Sequence, residues 1–80
     1  MKELTLRNFH GILKDVDPDN EMDFTSFSDA LSNVISDYDI VNEIVHFIEE
    51  DLNIFSDAEL LGLDENDLDA IVEFINTYEF

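Results

Sequence analysis

The chain has 80 residues, no cysteine, and 21 carboxylates against three lysines and arginines, for a net charge of −18. That length makes a single domain, 1–80, with a small core, and the lack of thiols excludes a disulfide framework, a thiolate metal site and a thiol nucleophile. The charge sign excludes direct binding to nucleic acid or to anionic membranes, both of which need basic side chains.

Taken in chain order, the segments read as helices separated by short acidic punctuation. Lys2–Leu6 has the only weak pattern of a short extended segment. Leu6, Phe9, Ile12 and Leu13 recur at helical spacing and predict a first helix over Leu4–Lys14. Pro18 and Asn20 among four Asp then predict a loop over Asp15–Asp23. Asp23 is the expected N-cap of a second helix, whose stripe is Phe24, Phe27, Leu31, Val34 and Ile35. Ser36-Asp37-Tyr38-Asp39 breaks that pattern, with Asp39 expected to cap a third helix. Ile40, Val41, Ile44, Val45, Phe47, Ile48 and Leu52 give this helix a wide apolar face, suited to packing on more than one side.

Ser56-Asp57-Ala58-Glu59 is a capping box for a short turn with Leu60 and Leu61, stopped by Gly62. Asp64 opens the last helix, with Leu68, Ile71, Val72, Ile75 and Tyr78 inward. The predicted fold is all-α: a small bundle of four main helices plus a short helical turn.

The charges are split along the chain. Lys2, Arg7 and Lys14 are the only basic residues, and after Lys14 there are 20 carboxylates with no lysine or arginine. Like charges without counter-charge repel in the compact state and lower its stability. Apolar residues still make up 45% of the chain, with seven Phe, so the charge belongs to a folded surface and not to a disordered acidic tail. Glu65, Asp69 and Glu73 recur four apart opposite the last apolar stripe, at about 6 Å spacing. Asp39, Glu43 and Glu50 line the polar side of the third helix. Glu49, Asp51, Asp57, Glu59, Asp64 and Asp67 add a second row around the 50–67 connection. Ordinary solvated faces mix both signs, because Glu–Lys pairs one turn apart help a helix. These twelve carboxylates are therefore the candidate partner-binding residues.

In size, charge and lack of enzymatic residues the chain resembles the small acidic DNA-mimic inhibitors of phages and mobile elements. Anti-CRISPR proteins, uracil-DNA glycosylase inhibitors and acidic immunity proteins share that logic. The resemblance implies a non-enzymatic inhibitor that blocks the basic surface of a nucleic-acid-binding protein. Its expected location is the host cytoplasm, which fits an opening Met-Lys-Glu-Leu-Thr-Leu-Arg without the apolar run of a secretion signal.

Two further resemblances are local. Asp15-Val-Asp17-Pro-Asp19-Asn20-Glu21-Met22-Asp23-Phe24-Thr25-Ser26 resembles an EF-hand calcium loop. Asp15, Asp17, Asp19 and Glu21 fall at its first four ligand positions, which implies a weak divalent-cation site in a regulatory module. Asn20 replaces the loop glycine, and Ser26 replaces the closing bidentate glutamate. Asp39–Asp51 is similar to the acidic second helix of acyl-carrier domains. Ser36, however, lacks the preceding Asp and following Leu of the phosphopantetheine motif.

No enzyme and no resident cofactor are expected. His10 and His46 each sit beside a phenylalanine, and no phosphate loop or nucleophile motif is present. Ile54, Phe55, Phe74 and Phe80 do not fall on single inward stripes. They are candidates for an apolar anchor within the acidic face or for a homodimer seam.

Overall fold

The computed structural model describes residues 3–78. Its elements are α1 Leu6–Leu13, α2 Thr25–Ser32, α3 Tyr38–Asp51, α4 Asp57–Leu61 and α5 Glu65–Ile75, with no strand among the described residues. The all-α reading holds, with four main helices and one short one.

Four of the five helices begin where a capping side chain satisfies an N–H group that a first turn leaves open. The exception is α2, whose N-cap is Phe24, with no side chain able to accept, and not the expected Asp23. Thr5 caps α1, its hydroxyl accepting from the Asn8 N–H at 3.1 Å. The helix therefore starts two residues later than expected, and Leu4 lies before it, outside any helix or strand. Leu4 is held by the Asn76 side chain: its N–H donates to Asn76 Oδ1 and its carbonyl accepts from Asn76 Nδ2, both at 2.8 Å. No strand forms in the described part of the expected extended segment Lys2–Leu6: Leu6 opens α1, Leu4 is held by one amide side chain, and Lys2 lies outside the described residues.

α2 ends at Ser32, short of Ile35. Its last turn tightens, with the Val34 N–H donating to the Leu31 carbonyl at 3.0 Å, and Val34 turns outward. The cap of α3 is Asp37, not Asp39. Asp37 has the extended backbone that a cap needs, and its carboxylate accepts from the Asp39 N–H at 3.0 Å. Asp39 is left in the first helical turn, where its charge suits the helix dipole. Ser56 and Asp64 cap α4 and α5 as expected, taking the N–H groups of Glu59 and Asp67. At the end of α3, Asn53 adopts a left-handed conformation (φ 56°), which asparagine tolerates better than most residues.

The helices pack around one core. Phe9, Phe27, Leu31, Val41, Ile44, Ile48, Leu60, Ile71 and Ile75 are almost fully buried. Phe27 meets Phe9 edge-on at 6.1 Å and Phe24 at the same distance. The wide apolar face of α3 is used on two sides, against α2 and α5.

Candidate functional site

Of the twelve candidate partner-binding carboxylates, Asp39, Glu43, Glu50, Asp51, Glu59, Asp64, Glu65, Asp69 and Glu73 are exposed. Glu49 and Asp67 are half-buried. Among the described residues, no lysine or arginine lies within 4 Å of a carboxylate, and the ion pairs involve histidine alone. His10 meets Glu65 at 3.2 Å, between α1 and α5. His46 lies 3.8 Å from Glu49 and 3.6 Å from Glu50, along α3. The two histidines are thus side chains within the acidic surface, and each carries charge there only when protonated.

Asp57 is the correction to that set. It is completely buried and cannot present its charge to a partner. Oδ2 accepts from Asn20 Nδ2 at 2.7 Å, from the Ser26 hydroxyl at 2.6 Å and from the Ser26 N–H at 3.1 Å. Oδ1 accepts from the Phe27 N–H at 3.2 Å. Those two N–H groups belong to the first turn of α2, whose own N-cap, Phe24, has no side chain able to accept them. Asp23 takes the Thr25 N–H at 3.0 Å, and the Phe24 carbonyl takes that of Ser28 at 2.8 Å. The N–H groups of Thr25, Ser26 and Phe27 in the first turn of α2 are thereby satisfied, two of them from a distant segment, and that of Ser28 makes the first intrahelical bond.

The exchange is reciprocal. The Asp57 and Ala58 N–H groups at the start of α4 donate to the carbonyls of Asp23 and Asn20, each at 2.9 Å. Two helix N-termini, each carrying partial positive charge, thus converge on one buried carboxylate.

This network accounts for the loop that resembles an EF-hand. Ser26, at the closing position, donates to Asp57 and accepts from the Asp17 N–H at 2.8 Å. Asp17 accepts from the Asp19 N–H at 2.9 Å. Asn20, at the glycine position, spans Asp57 and Asp23. Asp15, Asp17, Asp19 and Glu21 are all exposed. Among the described residues, no three His, Asp or Glu side chains are grouped so as to hold a metal ion.

Glu43, Glu50 and Asp51 are brought together. With His46, Phe47 and Phe74 they line a surface groove of about 230 Å³ between α3 and α5. Its floor is aromatic: Phe47 and Phe74 stack with ring centres 4.3 Å apart and planes 11° from parallel, and Tyr78 meets Phe74 edge-on at 5.6 Å. Partial burial, and then the Glu43 charge, raise the Tyr78 hydroxyl above its usual pKa of 10.0. Phe47 thus pairs with Phe74 while Glu43 neighbours Tyr78, so α3 and α5 run antiparallel.

The rim is electrostatically unfavourable. Glu50 and Asp51, with Glu49 beside them, occupy the last turn of α3, where the helix dipole is already negative. Among the described residues no lysine or arginine compensates, and His46 does so only when protonated. Each such carboxylate costs about 0.3–1 kcal/mol in an exposed setting.

Of the remaining apolar candidates, Ile54 is buried and Phe55 is half exposed, while Phe80 lies outside the described residues. Ser36 is exposed, one residue before the cap of α3. Sequence reasoning grouped Asp57 with the surface acids and did not find the Phe47–Phe74–Tyr78 tier. The available signal for that tier was the i,i+4 spacing of Phe74 and Tyr78, with Phe47 on the facing helix.

Comparison with protein-family models, curated proteins and solved structures found no match in any of the three.

Proposed function

We propose that the protein is a non-enzymatic inhibitor that occupies the basic nucleic-acid-binding surface of a target protein. The observation that carries this reading is a folded surface whose carboxylates have no lysine or arginine beside them among the described residues. Such a surface accumulates repulsion that only external cations or a cationic partner relieve. Carboxylates spaced about 6 Å apart along helices offer a charge density of the same order as a nucleic-acid strand. Long-range attraction speeds the encounter, and the complex weakens as salt rises.

The test is capture of host proteins on the immobilised chain, followed by elution with duplex DNA. The expected result is that captured proteins bind nucleic acid, leave the column with DNA, and bind less tightly between roughly 50 and 500 mM salt. Captured proteins that DNA does not displace, or binding unmoved by salt, overturn the proposal.

A further inference from the structure

We infer that the α3–α5 groove is an arginine-anchor site, which receives a guanidinium side chain from the cationic partner. The inference rests on the mimic reading for its biological context, but the groove makes its own chemical case. A cavity of about 230 Å³ is small beside the roughly 300–1,000 Å³ of ordinary ligand pockets, and it suits one long side chain. Its floor is the Phe47–Phe74 pair and its rim is Glu43, Glu50 and Asp51. Aromatic rings attract a cation that lies against them, and carboxylates accept the N–H groups at its edge. Guanidinium is the cation with both properties, being planar and carrying five donors. An ammonium group is more strongly hydrated and meets the rim only as a point charge.

The placement of the rim also selects for a cation. Asp51 and Glu50 stand at the C-terminal end of α3, where the helix dipole adds negative potential. His46 offsets this charge only when protonated, and among the described residues no lysine or arginine reaches it. A second copy of the chain is a poor occupant. It brings a net charge of −18 against a negative rim, so charge complementarity favours a cationic side chain over a homodimer seam.

The experiment uses hexa-arginine and hexa-lysine as probes of equal charge, titrated into the isotopically labelled full chain and followed by amide and aromatic NMR signals. Hexa-arginine should move Glu43–Asp51 and the Phe74 and Tyr78 signals most. It should also bind at least about fivefold more tightly than hexa-lysine, the advantage coming from stacking. Phe74→Leu keeps an apolar floor and should remove most of the arginine preference. The exposed Glu50→Gln change should weaken both probes without disturbing the fold. Equal affinity for the two probes, or shifts spread evenly over the acidic surface, overturns the anchor. If that happens while host proteins are still captured and displaced by DNA, the anchor fails and the mimic reading stands. Groove-centred arginine binding without DNA-displaceable capture is the reverse outcome.

Discussion

The Asp57 carboxylate accepts both the N–H and the hydroxyl of Ser26, at 3.1 and 2.6 Å, across 31 positions of chain. Replacing Asp57 with Ala leaves the half-buried Ser26 N–H and the buried Phe27 N–H without their acceptor, and leaves the Asn20 amide with Asp23 alone. The expected loss is about 3 kcal/mol, since each orphaned buried donor costs roughly 1–3 kcal/mol. For a domain of this size that lowers the melting temperature by roughly 12 °C or more. Asp64→Ala removes only an exposed cap and should cost about 1 kcal/mol. Urea unfolding of the two variants checks the contrast, and equal losses would contradict the assigned role of Asp57.

Asn76 binds the backbone of Leu4 through both amide atoms, across 72 positions of chain. Asn76→Ala should free the segment before α1 while leaving the helices intact. A cost of about 1–2 kcal/mol is expected for two lost hydrogen bonds. Hydrogen exchange at the Leu4 amide should accelerate well beyond the global change in stability.

Monovalent salt should stabilise the isolated chain. With a net charge of −18, screening relieves more repulsion than it removes attraction. The melting temperature is expected to rise from low to moderate sodium chloride, and a fall on the same path contradicts the uncompensated surface.

Two groups have shifts of opposite sign. Hydrogen bonds from Asn20, then Thr25, hold the Asp23 carboxyl below its usual value of 3.8. Its contribution to stability is present above that value and is lost as pH falls through the lower folded one. Asn20→Ala should move the Asp23 titration back upward, as read by carboxyl-carbon NMR. Tyr78 runs the other way, its pKa raised from 10.0. Its contribution is complete below pH 10.0 and is lost as pH rises through the folded value. Ultraviolet titration should show a tyrosine ionising above the usual range, and Tyr78→Phe should abolish that step.

Calcium at millimolar concentration should leave the amide signals of residues 15–26 in place. Ser26 and Asn20, at two positions on which an EF-hand loop depends, are engaged by Asp57. Saturable shifts confined to Asp15, Asp17, Asp19 and Glu21 would show instead that these exposed carboxylates gather around the ion.

The helices were legible because apolar spacing records which face is buried. Leu68, Ile71, Val72 and Ile75 repeat at the helical period, and all four are buried. Helix ends were harder to read. Asp37 and Asp39 are equally good caps by type, and only the extended backbone at Asp37 decides between them. Thr5 is a cap by residue type, but the apolar stripe from Leu6 does not say where the first turn begins, and the burial of Leu4 comes from a position before the helix held by Asn76. Asp57 was the least legible. An aspartate beside a capping serine usually faces water, and its burial depends on Asn20 and Ser26, which no local pattern links to it. The exposed carboxylates were legible by type, and Glu43, Glu50 and Asp51 share a groove because of antiparallel packing that sequence spacing within one helix does not encode.

The distant cap of α2 imposes an order of assembly on a chain made from its N-terminus. Residues 25–32 cannot close their first turn fully while residue 57 is still unmade, because the Ser26 and Phe27 N–H groups have Asp57 as their acceptor. Eight residues are too few for a stable isolated helix. A fragment ending at Asn53 should therefore show little helix over Thr25–Ser32 by NMR, and a peptide carrying residues 54–78 should restore it. Persistent helix there in the fragment alone would show that α2 matures without α4.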